Sequence, residues 1–167
     1  PDDEGVPSRK GARLLIFDRE GSILLIRGHD THDLRHRWCF TVGGGVEQGE
    51  DPRAGALREA AEETGFCFDA RFVEGPVMHR KAEFRFRNVI ARQDELFFIA
   101  RVDGVRPPVE SQNLTALENE TLDEFAWFSP AQLEALAGRE TVYPLSLPEH
   151  VFAWHREWDG VYVELAA

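Results

Sequence analysis

Three glutamates, Glu59, Glu62 and Glu63, stand close together on a stretch that should be helical. At i, i+3 and i, i+4 spacings their carboxylates share one flank of a helix, where they repel one another. Folding alone does not select such a cluster. A solvated acidic face, with Arg58 paired to Glu62 at i, i+4, is the plain structural account. Two neighbouring features argue for chemistry instead. Gly55 lies on the same flank one turn earlier, at a cost of about 1 kcal/mol relative to alanine, and offers bare backbone that a bulky group can approach. Gly43, Gly44 and Gly45 come shortly before the helix and are expected to form an open turn beside its acidic end. Oxygen-only ligands next to open backbone carbonyls suit a hard divalent cation such as Mg2+ or Mn2+.

The helix that carries them is well marked. Asp51 is a suitable N-cap, Pro52 suits the first helical position, and Gly65 is a natural terminator at C′. On the wheel, Leu57, Ala60, Ala61 and Thr64 form a face fit to pack on a sheet, and the three glutamates stand opposite.

The run from Gly44 to Phe66, GGVEQGEDPRAGALREAAEETGF, fills the pattern Gly-x5-Glu-x7-Arg-Glu-U-x-Glu-Glu-x-Gly-U, where U is apolar. Its fixed positions are Gly44, Glu50, Arg58, Glu59, Glu62, Glu63 and Gly65, and Ala60 and Phe66 take the apolar places. Average residue frequencies give a chance match on the order of one in a million. The run resembles the box of the Nudix hydrolases. Phe66 is bulkier than the usual aliphatic residue, and Val42 stands where many members have proline; neither is a ligand position. The resemblance implies an α/β/α sandwich with a mixed β-sheet. It also implies metal ligation by Glu59, Glu62, Glu63 and the carbonyl of Gly43, with Arg58 orienting a glutamate and Glu50 in support. The implied cofactor is Mg2+, for which Mn2+ can substitute. The implied reaction is hydrolysis of a phosphoanhydride in a nucleoside diphosphate linked to another group. Members of the family draw the general base from the box or from a loop before a late strand; Glu120 is the choice on that loop, with Glu118 and Glu124 as alternatives.

The rest of the chain must position this engine and supply the substrate contacts. Its 167 residues suit one domain, 1–167, with residues 1–10 polar and loose. The composition, 43% apolar and 29% charged, is that of a globular protein. No apolar run approaches a membrane span and no signal peptide is visible, so no membrane partner is expected. Cys39 and Cys67 are too few for a disulfide framework and are expected to be reduced, buried thiols in a cytoplasmic setting. The net charge of −11 argues against binding long nucleic acid and favours a small nucleotide partner. The oligomeric state is left open, a homodimer included.

In order, strands are expected at 13–17 and 22–27, joined by a turn at Asp18-Arg19-Glu20-Gly21, with a polar loop over 28–37. His29, His32 and His36 on that loop read as exposed histidines rather than a zinc site. Arg35, His36 and Arg37 are cationic candidates for a phosphate. A strand over 38–42 leads into the glycines. Beyond the helix come stretches at 71–80, broken by Gly75-Pro76, at 82–90, and a buried strand at 95–102. Arg80, Lys81, Arg85, Arg87 and Arg92 against one acid, Glu83, reverse the local sign of charge, and Phe84 and Phe86 alternate with Arg85 and Arg87. The substrate-binding candidates are therefore Arg37, Arg80, Arg85 and Phe84, and Trp38, Phe84 or Phe86 could stack on a base. Residues 103–121 form a polar loop, followed by a strand at 122–128. A helix capped by Ser129 starts at Pro130, a last helix covers about 148–158 with Phe152, Trp154 and Trp158 as packing residues, and an edge strand lies near 161–165. Two other readings stay open: a silent nucleotide sensor, and an isoprenyl diphosphate isomerase-like enzyme using Cys39 or Cys67.

Overall fold

The structure is a computed structural model that describes residues 5–29, 35–86, 89–104, 106–109 and 122–166. Its strands are β1 (Ser8–Phe17), β2 (Ile23–His29), β3 (Arg37–Gly45), β4 (Glu74–Phe86), β5 (Val89–Arg101), β6 (Leu122–Phe128), β7 (Thr141–Tyr143) and β8 (Val163–Ala166). The helices are α1 (Pro52–Thr64), α2 (Pro130–Ala137) and α3 (Leu147–Trp154). The sheet runs β6-β2-β3-β1-β5-β4-β8, with β7 paired in parallel to β3. β1 joins β5 in parallel and β3 antiparallel, so the sheet is mixed.

Side-chain alternation on β1 shows how the layers form. Ala12, Leu14 and Ile16 point to one face and pack with Ala56 and Ala60 of α1. Leu15 and Phe17 point to the other, against Leu133 and Leu136 of α2 and Leu147, Val151 and Trp154 of α3. Both faces of this strand are thus covered, with α1 on the box side. The mixed α/β sandwich expected from the sequence is the observed fold.

Local signals account for several boundaries. Asp18 turns the first hairpin by accepting from the N–H groups of Glu20 and Ser22 at 3.0 and 2.8 Å. Ser129 and Gln132 form a complete capping box at α2. α1 begins at Pro52 and ends at Gly65 in the left-handed region (φ 79°), although the Asp51 side chain makes no capping bond.

Several expectations need correction. Gly43–Gly45 are not a turn but the end of β3, in register with Arg13, Ala12 and Gly11 of β1. β1 begins at Ser8, inside the stretch expected to be loose. β4 continues through Gly75-Pro76 by a register shift between Glu74 and Met78. The last helix stops at Trp154, and Phe152 is 72% exposed rather than packed. Cys39 is buried but Cys67 is exposed. Among the described residues no helix is long and apolar enough to cross a membrane.

Candidate active site

α1 presents its small residues to the sheet. Gly55, Ala56, Ala60 and Thr64 are buried, and Leu57 and Ala61, expected on that face, are only partly covered. This rotation brings Glu63 inward, 8% exposed, and its Oε2 accepts from the Gly43 N–H at 3.4 Å. The glutamates are therefore not one solvated flank: Glu63 lies against the glycine strand, and Glu59 and Glu62 flank it.

Arg58 is the hub of the cluster. Its Nε and Nη2 donate to the two carboxylate oxygens of Glu50 at 2.9 and 3.1 Å, a bidentate pair. Nη1 donates to Glu59 at 3.0 Å and lies 3.4 Å from Glu62, and Nη2 also reaches the Gly45 carbonyl at 2.9 Å. Hydrogen bonding to Glu50 raises the already high pKa of Arg58, so the guanidinium is a permanent charge here. The same bonds, with the Glu47 N–H, hold the Glu50 carboxyl below its ordinary range.

The glycines explain how closely these parts fit. A Cβ on Gly44 would lie 2.4 Å from the Glu59 carboxylate carbon, so a side chain there would push that carboxylate out of its present place. A Cβ on Gly43 would meet the Ala12 carbonyl at 2.3 Å. At Gly55 the approaching bulky group is Glu50 itself, its Oε1 3.0 Å from an ideal Cβ.

Among the described residues no three His, Cys, Asp or Glu side chains already converge on a common point. Arg58 draws Glu59 and Glu62 towards itself, and Glu63 is turned to Gly43. The donor chemistry nevertheless fits a hard divalent cation: carboxylate oxygens beside a glycine strand whose missing side chains leave the carboxylates room.

On the opposite face of the sheet lies a cavity of about 360 Å3, with Arg13, Arg80, Gln93, Glu95, Trp38, Phe40, His36 and Tyr143 on its wall. Glu95, 2% exposed, accepts from Arg13 Nε at 2.6 Å and from Arg80 Nη1 at 3.1 Å. Arg13 Nη1 continues to the Thr41 and Gly43 carbonyls at 3.0 and 3.4 Å. A larger cleft, about 530 Å3, opens between Phe66–Phe68, Phe72 and Pro107–Pro108. No box glutamate lines either cavity, but Arg13 on the wall of the smaller one bonds to the Gly43 carbonyl, which ties that cavity to the box.

The structure thus gathers Glu50, Arg58, Glu59, Glu62, Glu63 and Gly43. Arg80 reaches the cavity wall. Arg37 stands exposed at the head of β3, beside His36 and Trp38, which do line the cavity. Phe84 and Arg85 occupy β4 opposite Ala91 and Ile90, but their side chains lie outside the described residues. Glu118 and Glu120 lie outside them too. Glu124 pairs with Arg27 at 2.6 Å. Arg13 and Glu95 belong to no sequence motif that marks them as a pair. The available signal was an opposite charge at the start of each of two apolar strands.

Residues 7–146 match the NUDIX domain. The chain belongs to the Nudix family. An RNA pyrophosphohydrolase of Bartonella bacilliformis is 36% identical across 86 aligned residues, covering 41% of this chain and 50% of that protein. One from Azorhizobium caulinodans is 39% identical across 64, covering 36% and 38%. The Nudix chain therefore spans half or less of the length of these relatives. Among solved structures, the MutT protein of Methanosarcina mazei superimposes with a TM-score of 0.59 at 21% identity, over 92% of this chain and 99% of that one. The Ap4A hydrolase of C. elegans gives 0.54 at 15%, over 86% and 94%. Both are likenesses of fold.

Proposed function

We propose that this Nudix protein hydrolyses a phosphoanhydride bond in a nucleoside diphosphate linked to a further group, with Mg2+, or Mn2+ in its place, as cofactor. The observation that carries the proposal is the Arg58 hub, which joins Glu50, Glu59 and Glu62 to the glycine strand. Glu59, Glu62, Glu63 and the Gly43 carbonyl would hold the cation. Once bound, it supplies neutralisation of the charge on the diphosphate and a lowered pKa for the attacking water.

The chain's own residues do the rest. Arg58 orients Glu59 while Glu50 fixes the guanidinium. The Gly43 N–H holds Glu63 against β3. Arg80 would take a phosphate or a base edge in the cavity, and Trp38 offers a ring to a base. Arg37, Arg85 and Phe84 are further substrate contacts, and Glu120 is the general base. Two free cysteines support a reducing, cytoplasmic setting.

The relatives named RNA pyrophosphohydrolases favour a second reading, in which the group beyond the scissile anhydride belongs to an RNA. A net charge of −11 argues that only the end of such a chain would be engaged. The isomerase-like reading is weakened by Cys39. It lies on the α2/α3 face, burial pushes its thiol up to about 12, and Glu140 is 3.8 Å away.

The test is a panel of ADP-ribose, a dinucleoside polyphosphate, a nucleoside triphosphate and a 5′-triphosphorylated RNA, with Mg2+ or with chelator, and with the products identified. Metal-dependent cleavage of one compound is expected. Tight binding without turnover of any would support the sensor reading, and neither binding nor turnover would overturn both.

A further inference from the structure

Glu95 is buried at the start of an otherwise apolar segment of β5, and both of its oxygens are engaged by arginines. A charge cluster so placed is not selected by folding, because apolar residues of similar volume commonly serve stability as well or better. Its connections run both ways. Through Arg80 it reaches the cavity wall, and through Arg13 it reaches the Thr41 and Gly43 carbonyls at the end of β3. Gly43 in turn donates its N–H to Glu63 on the α1 side. Gly43 is thus bonded to Arg13 through its carbonyl and to Glu63 through its N–H.

We propose that Glu95 is a positioning residue for both halves of the site: it holds Arg13 where the guanidinium orients the Gly43 carbonyl, and it holds Arg80 at the cavity wall. The proposal rests on the reading above that this carbonyl faces the cation. The geometry is restrictive because a guanidinium is planar. With Nε fixed on Glu95, the direction of Nη1 towards the two carbonyls is fixed as well. The carboxylate also offsets a positive charge that would otherwise stand next to an incoming cation.

The test uses Glu95→Gln, Arg13→Gln and Arg80→Gln in the full chain. Circular dichroism checks the fold, and titration of the substrate-free protein with Mn2+ gives metal affinity. Steady-state kinetics on the substrate found in the panel gives KM and kcat. Glu95→Gln should weaken Mn2+ binding by about 10–100-fold, the usual range for residues that orient ligands, and should raise KM. Arg13 lines the cavity as well, so Arg13→Gln should weaken Mn2+ binding by a larger factor than it raises KM. Arg80→Gln should raise KM and leave Mn2+ affinity as in the wild type. A purely structural ion pair would lower thermal stability without this division. If Glu95→Gln does not fold, the two arginine variants carry the test. Unchanged Mn2+ affinity in folded Arg13→Gln overturns the proposal. If no substrate is cleaved, the hydrolase reading fails, and the Mn2+ titrations still decide this one.

Discussion

The seat of Glu59 over Gly44 makes the smallest possible substitution informative. Gly44→Ala places a carbon where the carboxylate now lies. The expected result is a loss of about 10–100-fold in turnover, as for other disturbed ligand supports, with an unchanged circular dichroism spectrum. Glu62 and Glu63, equivalent on paper, should behave differently. Glu62→Gln and Glu63→Gln should each cut hydrolysis by orders of magnitude, and full activity in either would contradict the metal assignment. In metal-free buffer, however, Glu62→Gln should be neutral or stabilising because repulsion is relieved. Glu63→Ala should cost about 1–3 kcal/mol, since the buried Gly43 N–H loses its acceptor; chemical denaturation separates the two. Arg58→Gln should let the Glu50 carboxyl titrate nearer its ordinary 4.5, as followed by NMR. The sign follows from the depression: Glu50 stabilises the fold above its unfolded pKa and loses that contribution as pH falls through the folded one. The box glutamates were legible because local spacing brings them together. Arg13 and Glu95 were not, because 82 residues separate them and only the pairing of β1 with β5 makes them neighbours.

At the scale of elements, β8 is an edge strand of four residues, tied to β4 in parallel. His79 of β4 reinforces that tie, with Nδ1 2.9 Å from Glu164 of β8 and Nε2 bonded to Asp94 of β5. Burial works to lower the His79 pKa, but the bonds to Asp94 and Glu164 outweigh it and raise the pKa above 6.5. Lys81 acts on Glu164, Tyr162 bonds to Glu164, and Lys10 of β1 stands in register with Asp94. A raised histidine stabilises fully below its unfolded pKa and loses this as pH rises through the folded value. The protection of β8 amides, taken relative to the intrinsic exchange rate at each pH, should therefore fall from pH 6.5 upward, and His79→Gln should flatten that dependence. Capped helices and the first hairpin could be read directly, since Pro52, Gly65, Ser129 and Asp18 act on their immediate neighbours. β7 could not: three residues carry no periodicity, and its partner β3 lies a hundred residues back. The glycine triplet misled because its extended shape is imposed by β1, not by its own preferences.

For the molecule as a whole, an acidic chain that gathers carboxylates on α1 should gain stability from the cation. At about a hundred times its dissociation constant, Mg2+ should add about 2.7 kcal/mol, a rise of roughly 5–10 °C in Tm for a domain of this size. Replacing Glu59, Glu62 and Glu63 together by Gln should abolish the shift. A triple variant that still responds would place the ion elsewhere. The ten-residue parallel ladder from Ser8↔Arg92 to Phe17↔Arg101 has a further consequence, one for biosynthesis. During translation the strand that completes the hydrogen bonding of β1 follows it by more than eighty residues. At about 5–20 residues per second that delay is on the order of ten seconds. Throughout it an apolar segment, Leu14 to Phe17, waits half-paired at the ribosome, where chaperones would find it.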